Sequence, residues 1–137
     1  SLNREAIASI VFKDPEMLKK LDAIIHPAVK KYILKEIEKS KKEETEFFFI
    51  ESALLLEEKY DEICDEMWYI YCEKEVRMER LRHDRGYSDE KIQRMMANQL
   101  PDEEFEARCD FQLYNDEDVA HTYLQIERKM RTYYEFM

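Results

Sequence analysis

Glycine is almost missing from this sequence: Gly86 stands alone in 137 residues. A loop that wraps phosphate oxygens in backbone N–H groups needs several glycines, because the chain must enter left-handed geometry and approach the ligand closely. These residues therefore hold no glycine-rich phosphate cradle. Cysteine is scarce as well. Cys64, Cys72 and Cys109 form an odd count without a CxxC pair, which argues against a disulfide framework or a zinc site and predicts buried free thiols. No apolar run approaches the ~20 residues that span a membrane. The opening residues Ser1-Leu2-Asn3-Arg4 lack the basic-then-apolar order of a secretory signal, so a cytoplasmic protein without a membrane partner is expected. Positive charge is also in deficit. A formal net charge of -10 disfavours binding to nucleic acid, whose phosphates would be repelled.

What is present suits one domain with a real core. Apolar residues make up 45% and aromatics 12%, which makes disorder a poor description. Charged residues reach 39%, as in helix-rich soluble proteins. The charge is uneven. Lys74, Arg77, Arg80, Arg82, Arg85, Lys91 and Arg94 outnumber Glu75, Glu79, Asp84, Asp89 and Glu90 in one window. Arginine presents a planar fork that matches phosphate oxygens, so its concentration here points to an anionic ligand. The competing description is a solvated helix face whose arginines pair with Glu75, Glu79 and Asp84.

Ile7, Ile10 and Val11 recur at helical spacing and predict a short helix over 4–12. Asp14-Pro15 supplies an N-cap and a first-turn proline for a second helix, lined by Met17, Leu18, Leu21, Ile24 and Ile25. Pro27 predicts a kink or restart at His26, after which Val29, Tyr32, Ile33 and Ile37 resume the pattern until the polar run from Lys39 to Glu46. Phe47 to Ile50 and Met67 to Cys72 are short apolar runs of strand formers and predict buried strands; Phe111 to Tyr114 is a third candidate. Helices are expected over 74–82 and after Ser88, where Ile92, Met95 and Met96 face inward, and again along Val119, Tyr123, Ile126 and Met130. Met95, Met96, Tyr123, Tyr133 and Tyr134 are expected to pack as core. Strands alternating with helices indicate an α/β fold with a parallel sheet.

Local motifs go further. Asn3-Arg4, Val11-Phe12 and Leu21-Asp22-Ala23-Ile24-Ile25-His26-Pro27 come first, then Glu51-Ser52-Ala53-Leu54-Leu55-Leu56-Glu57. Arg80 with Gly86-Tyr87-Ser88-Asp89-Glu90 and Asn98-Gln99 follow, then Cys109-Asp110 with Asn115-Asp116. In this order the sequence resembles the dephospho-coenzyme A kinases over roughly residues 3–126. Glu51 stands where that family more often has aspartate, and Ala53 where it has proline. Its second lid arginine falls on Asp84, between Arg82 and Arg85.

The resemblance implies an incomplete P-loop kinase fold. A parallel sheet of about three strands would carry a helical acceptor-binding hairpin and a helical lid. The divisions expected are 1–46 for the acceptor region, 47–73 for part of the core sheet, 74–101 for the lid, and 102–137 for the remaining sheet and last helix. The family reaction moves the γ-phosphoryl of ATP to the ribose 3′-hydroxyl of dephospho-coenzyme A, the last step of coenzyme A biosynthesis, with Mg2+. The implied acceptor-binding residues are Arg4, His26 and Glu51, and the implied ATP-binding residues are Arg80, Arg82, Arg85 and Asn115.

Each has a plainer alternative. His26 can be a core histidine satisfied by a neighbour, Glu51 a cap or loop ion pair, and Asn115 a turn former. The family's opening strand, its GxxxxGKS/T loop and the aspartate base after it are absent from these residues. The chain alone is therefore expected to be inactive, with no catalytic residue or metal ligand of its own. Its strand edges are expected to pair with a second copy. The competing functions are a remnant of another P-loop nucleoside or nucleotide kinase and a non-enzymatic acidic interaction domain.

Overall fold

The computed structural model describes residues 1–135 and divides the chain into two compact units, Ser1–Tyr60 and the residues from Asp61 onward. The described residues include six α-helices and a two-stranded parallel sheet, a mixed α/β architecture as expected.

The first unit is built on two helices in contact, α1 (Arg4–Val11) and α2 (Pro15–Lys42). Asn3 caps α1 by accepting the Ala6 N–H at 3.0 Å. Asp14 caps α2 by accepting from Glu16 and Met17, with Pro15 at the first helical position. Lys39, Lys41 and Lys42 sit in the last turn, where positive charge complements the helix dipole. Of the kink or restart expected at His26, the restart does not occur: α2 continues through Pro27 for 28 residues. Proline removes one backbone donor, and the carbonyl it frees belongs to Ala23, an exposed residue whose oxygen water can satisfy.

The Phe47–Ile50 run is neither a strand nor buried. It is irregular, and Phe48 and Phe49 are 42% and 67% exposed. Strand formers make a strand only where another backbone completes their ladder. The resemblance places this run beside a strand that these 137 residues do not contain, so the sheet has two members rather than about three.

The second unit holds that sheet. β1 (Trp68–Tyr71) pairs in parallel with β2 (Phe111–Tyr114), Trp68 opposite Phe111 and Tyr71 opposite Tyr114. Asp110 starts the ladder, its backbone N–H donating to the Met67 carbonyl and its carboxylate accepting the Met67 N–H, both at 2.8 Å. Between the strands run α3 (Lys74–Arg85), α4 (Asp89–Ala97) and α5 (Asp102–Arg108), and α6 (Val119–Tyr134) follows β2. Gly86 ends α3 at φ +64, with its own N–H and that of Tyr87 bonded to the carbonyls of Arg82 and Leu81. No atom crowds the missing side chain, so the left-handed backbone alone accounts for glycine there. Ser88 caps α4 by accepting the Lys91 N–H at 3.2 Å.

Met67, Tyr69, Met78, Ile92 and Leu113 form the buried apolar set of this unit. Ile92 is completely enclosed and Met96 half-buried, but Met95 is exposed, lying about 100° round the helix from Met96. Tyr123 and Tyr134 are likewise largely exposed. The three thiols are free and half-buried. Replacing Ile92 by alanine is expected to cost about 2–5 kcal/mol, because the cavity cannot collapse fully. A urea midpoint that falls with unchanged slope checks it.

α5 and α6 are fastened by polar contacts. The Tyr69 hydroxyl donates to Asp102 at 2.6 Å while its ring stacks on Phe105 at 4.8 Å; burial, then the Asp102 carboxylate, pushes the phenol well above its ordinary range. Glu66, just before β1, accepts from Trp68 Nε1 at 2.9 Å, Lys129 Nζ at 3.0 Å and the Tyr133 hydroxyl at 2.6 Å. Burial alone would push the Glu66 carboxyl up, but these three donors outweigh it and hold it below the usual carboxylate range. A depressed folded-state pKa stabilises the fold above the unfolded value and loses that contribution as pH falls through the folded one. On lowering the pH from about 7 to about 3, wild type is expected to lose more stability than E66Q, and the two urea midpoints should converge. Parallel midpoints at both pH values would remove Glu66 from the acid response.

Candidate functional site

The ATP-side residues inferred from sequence all lie in the second unit, and two of them, Arg80 and Asn115, meet at the C-terminal ends of the two parallel strands, where ligands gather in α/β folds. Arg80 projects from α3 across those ends. Its Nη1 donates to the Asn115 carbonyl and lies 3.6 Å from the Cys72 sulfur, and its Nη2 donates to the Glu117 carbonyl at 3.1 Å. One half-buried guanidinium thus joins the residue after β1 to the loop after β2. Burial pushes the Cys72 thiol up, and the Arg80 charge pulls the other way.

Asn115 is fixed from three directions. Its N–H donates to the Tyr71 carbonyl at 2.7 Å, its carbonyl accepts from Arg80, and its side-chain oxygen accepts the Thr122 hydroxyl at 2.9 Å. Sequence reasoning named Arg80 and Asn115 separately, and the structure brings them together. It did not name Thr122, a residue of α6 with no motif to mark it.

The other two lid arginines differ. Arg82 Nε donates to Asp89 at 2.5 Å and its Nη1 lies 3.5 Å from Glu79, so it ties α3 to the first turn of α4. Arg85, the last residue of α3, is exposed and makes no hydrogen bond or ion pair among the described residues. Arg77 is half-buried, and its Nε is enclosed without a hydrogen-bond partner among the described residues.

The acceptor-side residues belong to the first unit. His26, half-buried on α2, places Nδ1 2.7 Å from a Glu58 carboxylate oxygen and Nε2 3.7 Å from Asp22. Lys30, one turn further along α2, donates to the Glu58 carbonyl at 2.7 Å and lies over the Tyr60 ring at 5.2 Å. Neither Glu58 nor Lys30 was named from sequence; Glu58 meets His26 and Lys30 only because the chain folds back between positions 43 and 59, with left-handed turns at Glu44 and Lys59. Arg4 opens α1 and is exposed, and Glu51 is exposed in irregular chain rather than at the end of a strand. Neither of them makes a hydrogen bond or ion pair with His26 among the described residues.

No group of three or more His, Cys, Asp or Glu side chains is placed to hold a metal ion among the described residues. None of their helices is long and apolar enough to cross a membrane.

Comparison with known proteins gives one consistent result. The sequence model of the family described as CoaE, dephospho-CoA kinase, matches residues 1–121. A dephospho-CoA kinase of Symbiobacterium thermophilum is 32% identical over 131 residues, covering 96% of this chain and 55% of that protein. One of Aquifex aeolicus is 36% identical over 128 residues, covering 93% of this chain and 64% of that protein. The chain therefore spans between about half and two thirds of the curated relatives it matches. Among solved structures, TT1252 from Thermus thermophilus superposes with a TM-score of 0.72 at 27% identity, over 96% of this chain and 67% of that one. A dephospho-CoA kinase from Campylobacter jejuni gives 0.70 at 25%, over 96% and 65%.

Proposed function

The chain is a member of the dephospho-CoA kinase family, and on that premise we propose that it supplies the acceptor-binding and lid parts of an ATP-dependent dephospho-CoA 3′-kinase. The family match that runs through residues 1–121 carries this reading. It is supported by the meeting of Arg80 and Asn115 at the strand ends.

Phosphoryl transfer of this kind depends mainly on positioning and on neutralising charge. Arg80 orders the loop that begins at Asn115 while keeping its full positive charge near the strand ends. Asn115, its side-chain oxygen already engaged by Thr122, retains its amide N–H donors for the adenine. Arg82 is occupied by Asp89, so Arg85 takes the role of reaching ATP phosphate from the lid. The enclosed Arg77 Nε adds an unmet donor to the same helix. His26, Arg4 and Glu51 serve the dephospho-CoA side.

Magnesium goes with ATP in such chemistry, but the described residues offer no cluster to hold it, and none of the roles assigned here passes through it. A cytoplasmic setting is part of the proposal, supported by the three free thiols. Pairing of two copies through strand edges remains part of it too; a monomer in light scattering at high concentration counts against that pairing.

Calorimetry tests the acceptor role. Dephospho-CoA is expected to bind this chain more tightly than AMP does, and H26A to weaken dephospho-CoA by about tenfold, the worth of one good hydrogen bond. Equal affinity for AMP would instead favour a nucleoside monophosphate kinase remnant.

A further inference from the structure

We infer that Glu58 is a positioning residue for His26, holding its imidazole as the Nδ1–H tautomer so that Nε2 accepts from a neutral donor, a hydroxyl or amide N–H, of the bound acceptor. The inference rests on the acceptor-site role of His26 and specifies the chemistry that side chain can recognise.

The two ring nitrogens are in unequal surroundings. An ionised carboxylate can only accept a hydrogen bond, so the nitrogen 2.7 Å from Glu58 must carry the hydrogen. The other nitrogen, 3.7 Å from Asp22, is beyond hydrogen-bond reach and keeps its lone pair when the ring is neutral. Which nitrogen of an imidazole is protonated is set by the bond the other makes.

Glu58 is itself held in place. Its N–H donates to the Leu54 carbonyl at 2.9 Å, its carbonyl accepts from Lys30 of α2 at 2.7 Å, and the chain turns sharply at Lys59, whose φ is 58. The backbone is therefore tied to the same helix that carries His26, one turn away.

Charge decides what can approach Nε2. An ionised phosphate there would meet a lone pair rather than an N–H, with the Asp22 carboxylate 3.7 Å from the ring and the Glu58 carboxylate on its far side. Like charges at such distances oppose binding. A hydroxyl or amide N–H meets no such repulsion and donates directly to the lone pair. Dephospho-CoA offers both kinds of donor, in its ribose and in its pantetheine arm.

Nitrogen-15 NMR of the full chain tests this without ligand. At a pH about two units above the ordinary imidazole value, His26 is expected to show a protonated Nδ1 and a bare Nε2. E58A should shift the ring towards the Nε2–H form. E58Q, whose amide oxygen still accepts, should keep Nδ1–H. A predominantly Nε2–H ring in the wild-type chain overturns the inference with no variant needed, and so does a tautomer that E58A leaves unchanged. Dephospho-CoA affinity should fall about tenfold in E58A and recover in E58Q. Equal affinity in E58A and wild type, despite a changed tautomer, also overturns the positioning role. H26A that binds as wild type refutes the acceptor-site reading instead, and the ligand-free spectra tell the two failures apart.

Discussion

Incubated with ATP and dephospho-CoA, these 137 residues alone are expected to give no turnover above a heat-inactivated control. The reason is chemical. The γ-phosphoryl needs a surround of backbone N–H groups, a lysine and a metal ion on its oxygens, and single transition-state contacts of that kind are worth about a hundredfold to a thousandfold each. A sequence with one glycine has no cradle to offer, and the described residues hold no metal cluster. What they do offer are arginines, which stabilise charge but do not replace the cradle. A coupled assay of ADP release measures this. A rate proportional to chain concentration would mean that the phosphate grip lies somewhere in these residues.

The second large effect concerns Arg80. Its alanine variant is expected to lose about 2–4 kcal/mol of stability, because two carbonyls at the strand ends give up a charged donor together. The Glu117 carbonyl belongs to an exposed residue and can turn to water, whereas Asn115 is half-buried and has fewer alternatives. Lysine should restore little, since a point charge cannot serve two carbonyls and the Cys72 sulfur in one plane. The urea midpoint gives the value, and an unchanged slope shows that the folded state keeps its compactness. ATP affinity should fall in the same variant, because the loop that presents Asn115 is no longer anchored. A loss below about 0.5 kcal/mol, the scale of ordinary surface substitutions, would show that the clamp has little energetic weight.

Those two cases mark how far the sequence could be read. The β1 and β2 strands, the Ser88 cap and the Asp14-Pro15 start were legible because each has a local cause: a run of strand formers, a hydroxyl before a helix, a proline that fits a first turn. Phe47 to Ile50 misled because the same composition needs a partner backbone to become a strand, and composition does not report the partner. α5 was missed because Phe105 is the lone large apolar residue in an acidic segment, and periodicity needs at least two. Pro27 did not start a new helix, one of the two outcomes its sequence allowed: a freed carbonyl facing solvent costs too little to break a helix.

The site followed the same logic. Arg80 and Asn115 were found through motifs, but the bond between them spans 35 positions and no spacing rule predicts it. Glu58 could not be found at all, since it meets His26 only through a chain reversal that also ties its carbonyl to Lys30, 28 positions away. The plainer description of His26, a histidine satisfied by a neighbour, and the acceptor role are therefore compatible. Glu58 satisfies one nitrogen, while the other, 3.7 Å from Asp22, is beyond hydrogen-bond reach of it.

The central proposal is that this chain carries the acceptor-binding and lid parts of a kinase whose phosphate grip and base come from a segment outside these 137 residues. Joining it behind the amino-terminal segment of the Aquifex aeolicus relative, up to the point where the two sequences begin to align, measures that directly. Turnover of dephospho-CoA with ATP by the fusion, and by neither part separately, is the predicted result; a folded fusion that binds ATP yet leaves dephospho-CoA unchanged would contradict it.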